Sequence, residues 1–215
     1  MIGEQDWFGS MDEGGVYGRR LDPGRGFAVT AGLMRVARIP ARYQDADLGQ
    51  TCKASRKALL AWARSIPESV PGGASLLLTG KFGTGKTSAA VALLIEGMCC
   101  GSYALFFNSL DLERIYTGRE VSYEDQRLVE KTQMLVLDDV GAGRDQDFGL
   151  HGTLVEKVVR HRYNAKLSTL VTTNLTPTQI KKRFPGAATI LLGDDSYGQV
   201  ELGGVDRRVR ERPDA

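Results

Sequence analysis

Gly80-Lys81-Phe82-Gly83-Thr84-Gly85-Lys86-Thr87 is the stretch that decides the fold. It satisfies the pattern G-x-x-x-x-G-K-[ST] at every fixed position. Its glycines let the backbone bend so that successive N–H groups converge on phosphate oxygens. A helix opening at Lys86 adds the positive end of its dipole. The Lys86 ammonium then reaches the β- and γ-phosphates of ATP, and the Thr87 hydroxyl ligates Mg2+. The expected nucleotide-binding set is therefore Gly80, Lys81, Phe82, Gly83, Thr84, Gly85, Lys86, Thr87 and Ser88. The setting suits the chemistry, because the apolar run Ser75–Thr79 reads as a buried strand before the loop. Lys86–Cys100, rich in Ala and Leu, reads as the helix after it.

Working outward, Met134-Leu135-Val136-Leu137-Asp138-Asp139 looks like a Walker B strand. A parallel strand that ends beside the phosphate loop carries a carboxylate to the metal. Asp138 is expected in that role, and Asp139 is expected to orient and polarise the attacking water. Ser168–Thr172 reads as another strand, ending in Thr173-Asn174 at the ligand edge of such a sheet. Asn174 there can hydrogen-bond the γ-phosphate or the water. Tyr103–Phe107 is a further strand, lying in sequence between the two motifs. That fits the branch of phosphate-loop enzymes in which another strand separates the Walker A and Walker B strands.

Helices are expected over Thr51–Ser65, ended by Pro67 and Pro71, over Leu110–Tyr116, Tyr123–Thr132 and Leu150–Tyr163. Strands alternating with helices predict an α/β fold, a three-layer αβα sandwich around a central parallel sheet. Met1–Val36 is rich in Gly and charge and carries Trp7, Phe8 and Tyr17 without period, so it reads as a flexible N-terminal arm. The ATP-binding domain is expected over 37–215.

Composition sets the outer limits. The chain of 215 residues is 42% hydrophobic and 25% charged, enough apolar material for a core that needs no staple. A net charge of +2 is too small to argue nucleic-acid binding, so only local clusters can. Three cysteines with an adjacent pair, Cys99-Cys100, read as reduced thiols, and the N-terminus has no signal-peptide pattern. The longest apolar stretch, Ala89–Ile95, falls well short of the ~20 residues of a membrane span. A soluble, cytoplasmic protein without a membrane partner is expected.

The motifs together resemble a known group. Ile39-Pro40-Ala41-Arg42-Tyr43, Gly83-Thr84-Gly85-Lys86-Thr87, Leu137-Asp138-Asp139-Val140-Gly141, Arg162-Tyr163, Thr172-Thr173-Asn174-Leu175 and Gly204-Val205-Asp206-Arg207-Arg208 stand in one order. That order is similar to the AAA+ ATPases of the bacterial helicase-loader (DnaC-type) and transposition-helper (IstB-type) group. The resemblance implies that Ile39 to Tyr43 line an adenine pocket and that Asn174 is sensor 1. It implies that Arg207 or Arg208 is a sensor 2 arginine touching nucleotide. It also implies a homo-oligomer in the ATP state, contact with single-stranded DNA, and a replicative helicase or a transposase as protein partner.

Two departures from the group's pattern qualify these implications. Ile190 occupies the position of the arginine finger, and Arg183 is the nearest substitute. The arm is also short beside the N-terminal module with which helicase loaders grip a helicase. Since an arginine finger contributes ~10³–10⁵ in turnover, a slow ATPase or a nucleotide-gated adaptor follows. Lys181-Lys182-Arg183, Arg207–Arg212 and the set Arg114, Arg119, Arg127 and Lys131 are the local basic clusters able to neutralise phosphates. Core residues do not separate a helicase loader from a transposition helper, because surfaces outside the site choose the partner.

Overall fold

Strands that alternate between two apolar faces need cover on both sides, and the helices of this chain divide accordingly. The computed structural model describes residues 16–17, 28–117, 122–142 and 148–204. In chain order its strands and helices begin with β1 (Val16–Tyr17), β2 (Val29–Thr30), α1 (Ala31–Val36), α2 (Lys53–Ser69), β3 (Ser75–Thr79) and α3 (Lys86–Cys99). Then come β4 (Ala104–Asn108), α4 (Asp111–Thr117), α5 (Tyr123–Lys131), β5 (Met134–Val140), α6 (Phe148–Asn164) and β6 (Ser168–Thr173). The series closes with α7 (Pro177–Arg183), α8 (Pro185–Gly193) and β7 (Tyr197–Glu201). β1 and β2 form a small antiparallel pair, while the main sheet is parallel in the order β4-β5-β6-β3-β7.

The alternation is visible residue by residue. Leu76, Leu78, Phe106, Val136 and Leu170 face a core with α1, α2 and α3. Leu77, Leu105, Phe107, Leu135, Leu137 and Val171 face a second core with residues of α4 to α8. The three-layer αβα fold expected from the sequence is therefore present. Every strand of the main sheet runs the same way, so all carboxyl ends meet at one edge, where the phosphate loop leaves β3.

Several local expectations change. As expected, a further strand separates the two motif strands; it is β6, and β4, which lies between the motifs in sequence, is at the sheet's edge. That edge is partly covered, because the Phe106 N–H donates to the Ala37 carbonyl at 2.8 Å. Pro67 does not end α2, which runs on to Ser69. A proline in the last turn removes a single N–H donor, and Gly73 at φ 87° provides the stop. Within the segment read as an arm, Val29 and Met34 are buried in the first core, and the Thr30 hydroxyl caps α1 by accepting from the Leu33 N–H. Trp7 and Phe8 lie outside the described residues.

α7 and α8 were not anticipated. α7 opens with a capping box, Thr176 and Gln179 bonding each other's backbone, and has Pro177 in its first turn. Among the described residues no helix is long and apolar enough to cross a membrane.

Candidate nucleotide site

The loop between β3 and α3 is built by its positive-φ glycines. Gly80, Gly83 and Gly85 take φ of 142°, 74° and 89°. At Gly80 a side chain would also meet the Leu202 carbonyl oxygen at 2.3 Å, so the loop backs closely onto the end of β7. Thr84 is buried and donates to the Lys81 carbonyl at 2.9 Å, bracing the loop from inside. Gly80, Lys81 and Thr84 shape the loop without lining the cleft above it. Phe82, Gly83, Gly85, Lys86, Thr87 and Ser88 do line it, as do Asp138, Asp139, Asn174 and Tyr43. The cleft holds about 620 Å³, and Arg42, Gln50, Asn108 and Thr172 complete its wall.

Lys86 is the centre of this arrangement. Its ammonium donates to the Gly80 and Lys81 carbonyls at 2.9 and 2.8 Å and to Asn174 Oδ1 at 2.5 Å. Asn174 in turn donates through Nδ2 to Asp139 Oδ1 at 3.1 Å. The first residue of α3 and the tips of β6 and β5 thus form one chain, Lys86–Asn174–Asp139. The order of strands explains it: β6 lies between β3 and β5, so its tip bridges the other two.

Asp138 and Asp139 sit at an irregularity in the β5–β6 register between Leu137 and Val140. Asp139 adopts φ 57°, in the left-handed region that Asp tolerates better than most residues. The Thr172 hydroxyl secures both residues, accepting from the Asp139 N–H at 2.9 Å and donating to Asp138 Oδ1 at 2.6 Å. Ser109 adds a second clamp, from its hydroxyl to the Asp139 carbonyl at 3.0 Å. Burial holds the Asp138 carboxyl above its ordinary range; hydrogen bonds from Thr172 and Thr87 oppose this, and the neighbouring Asp139 adds to it. A hydroxyl and a desolvated carboxylate on one another form an all-oxygen donor set, which fits a hard cation such as Mg2+.

Other expected residues fall elsewhere. Ile39 is 3% exposed and belongs to the first core, so of the Ile39–Tyr43 stretch Arg42 and Tyr43 reach the cleft. Arg183 does not line the cleft of its own chain. It sits at the end of α7 in a separate groove with Lys182 and Glu156, and donates to the Gly141 carbonyl at 3.3 Å. Ile190 is half-buried against the second core. Arg207 and Arg208 lie outside the described residues. The roles of Thr172 and Ser109 were missed, because a hydroxyl that acts through tertiary proximity leaves no spacing to read.

A parallel sheet with the nucleotide loop at β3, the acidic tip at β5 and the polar tip of β6 between them defines an AAA+ phosphate-loop domain. The sequence matches the family described as IstB-like ATP binding protein over residues 28–192. The chain belongs to that family and is of the DnaC/IstB type. The replicative helicase loader DnaI of Bacillus subtilis (strain 168) is 29% identical over 115 residues, 52% of this chain and 37% of that protein. The chain thus matches only about a third of that curated relative's length. Among solved structures, the DnaC helicase loader superposes with a TM-score of 0.65 at 23% identity, over 76% of this chain and all of the other. The DnaI structure gives 0.62 at 22% identity, over 79% and 94%. AMPPCP-bound DnaA from Aquifex aeolicus gives 0.58 at 14% identity, over 73% and 50%. At these identities the superpositions establish the fold.

Proposed function

We propose that this protein is an ATP-dependent replication factor of the helicase-loader type. In this reading it assembles as a homo-oligomer on single-stranded DNA, a replicative helicase or both, and hydrolyses ATP slowly. The observation that carries the reading is the Lys86–Asn174–Asp139 chain in the lining of the nucleotide cleft. It joins the group that binds the γ-phosphate, the group that senses it and the carboxylate that would use the water. Likeness to two helicase loaders supports the choice of partner class.

In this reading the loop amides and Lys86 hold the β- and γ-phosphates, and Tyr43 lies at the base end of the cleft. Thr87 and Asp138 would hold Mg2+, which when bound neutralises phosphate charge. Asp139 accepts a proton from the attacking water, and Asn174 orients that water against the γ-phosphate. γ-Phosphate competes with Asn174 for Lys86, so occupancy of the cleft changes how Asn174 and Asp139 are held. Arg183 is the candidate trans-acting cation, and Arg207 or Arg208 the candidate sensor 2 residue. With Ile190 half-buried where a finger arginine is expected, turnover is slow. The exposed side chains of Arg114, Arg127 and Lys131, and separately of Lys181 and Lys182, are the basic groups available to nucleic acid in this reading.

The test is ATP turnover with and without single-stranded DNA, in the wild type and in Asp139→Asn. Asn is isosteric and tolerates the same positive φ, so the variant should bind ATP normally and lose hydrolysis by at least ~10²-fold. Wild-type turnover should rise with single-stranded DNA. Unchanged turnover in Asp139→Asn would remove Asp139 from the reaction, and indifference to DNA would remove the DNA partner. The IstB-like family match favours a second reading, a transposition helper whose partner is a transposase. Pull-down with the intact chain separates the two by whether a helicase or a transposase is captured.

A further inference from the structure

The cleft has two chemically distinct ends. Lys86, Thr87, Asp138 and Asn174 mark the phosphate end. At the other end Arg42, Tyr43 and Gln50 enter from two 3-10 turns, Ala41–Tyr43 and Leu48–Gln50, both packed against α3. In the nucleotide reading above, phosphates on the loop leave the remainder of the same cleft, lined by these three side chains, for the base.

The turn that carries Gln50 is well braced, and Gln50 alone of residues 47–51 is exposed. Leu48 anchors it in the first core. Asp47 Oδ1 accepts from the Gly49 N–H at 2.7 Å, and the Thr51 hydroxyl donates to the Leu48 carbonyl. Arg56, projecting from α2, donates to the carbonyls of both Gly49 and Thr51. Gln50 itself is exposed, and among the described residues no hydrogen bond engages its side-chain amide. Bracing of this kind lowers the ordering cost of any contact the amide makes with a ligand.

The chemistry of the three side chains differs in a useful way. Arg42 has donors alone, and its guanidinium lies over the Tyr43 ring at 4.9 Å. Gln50 alone offers a donor and an acceptor side by side. That pair complements adenine, which presents an amino donor next to a ring-nitrogen acceptor. With N7 as that ring nitrogen, guanine presents two acceptors, O6 and N7, so on this edge either orientation of the amide sets its carbonyl against a lone pair.

We propose that Gln50 reads the base of the bound nucleotide and sets a preference for adenine over guanine. This rests on the nucleotide reading above and adds a specificity-determining residue to it. The experiment measures binding of ATP, ADP and GTP with Mg2+ to the full chain by calorimetry, in the wild type, Gln50→Ala and Gln50→Arg. Gln50→Ala should weaken ATP and ADP equally, by about tenfold, and leave GTP nearly unchanged. Gln50→Arg, whose fork suits the O6 and N7 acceptors of guanine, should move the ratio further toward GTP. Equal weakening of ATP and GTP, or no change in either, would overturn the assignment while the nucleotide reading stands. A wild-type chain that binds neither nucleotide would overturn the nucleotide reading, and this assignment with it.

Discussion

Lys86 and Arg162 are both buried cations, 7% and 0% exposed, and they sit at opposite ends of the parallel sheet. Lys86, at the carboxyl end, donates to two carbonyls of its own loop and to the Asn174 amide. Arg162, at the amino end, donates to the Val129 carbonyl at 2.8 Å, the Ser168 carbonyl at 2.6 Å and the Thr169 hydroxyl at 2.9 Å. None of these acceptors is charged. The difference lies in what surrounds them. Arg162 is sealed between α5, α6 and β6, and burial lowers its pKa to about 10. Its rigid fork matches three fixed acceptors, so it acts as a pin. Lys86 lies at the floor of an open cleft, where incoming phosphate can replace its present acceptors at little cost.

Three substitutions probe that contrast. Arg162→Met leaves two carbonyls and a hydroxyl buried without their donor, so it should cost on the order of 4 kcal/mol of stability. Urea denaturation measures this, and a loss below ~1 kcal/mol would show that Arg162 is no pin. Lys86→Met should do the reverse. Nucleotide affinity should fall by about 100-fold, the worth of charged hydrogen bonds to phosphate, while urea stability stays within ~1 kcal/mol of wild type. A stability loss as large as that of Arg162→Met would erase the distinction between the two cations.

The smallest effect concerns Asp138, the anion that faces Lys86 across the cleft. Burial raises its carboxyl above the ordinary range, so the folded state holds that proton more tightly than the unfolded chain. At neutral pH the ionised, nucleotide-free site therefore costs stability. Asp138→Asn should raise the melting temperature at pH 7 by the equivalent of about 1 kcal/mol. The gain should shrink as pH falls through the raised range toward the ordinary carboxylate value, where the wild-type group is protonated too. Thermal melts at a series of pH values check the sign. A variant less stable than wild type at pH 7 would mean that Asp138 contributes more as a hydrogen-bond acceptor than it costs as a buried charge.

Much of this architecture was legible from local pattern. The glycine spacing at 80, 83 and 85, the apolar runs of β3, β4, β5 and β6, and the acidic end of β5 each depend on neighbours a few residues away. Pro67 was misread because proline at a helix end breaks or merely trims the helix according to which N–H it removes. The β7 strand, Tyr-Gly-Gln-Val-Glu, has too weak an apolar alternation to stand out before Leu76 and Leu78 are seen beside it. Arg162 entered the sequence reading only as part of a resemblance, since no spacing distinguishes a pinned arginine from a solvated one.

What the sequence by itself determined was the identity of the phosphate loop and the alternating order of strands and helices. Both follow from short-range constraints, namely backbone dihedrals that only glycine allows easily and an apolar period of two. Tertiary structure decided which strand lies between the motifs, and with it the bridge from Lys86 through Asn174 to Asp139. It also decided that the Thr172 hydroxyl serves two aspartates and that Gln50 lines the same cleft as Lys86. Those contacts span 33 to 88 residues of chain within the strand-tip cluster. Only packing of the two cores on the sheet brings residues so far apart within hydrogen-bonding reach.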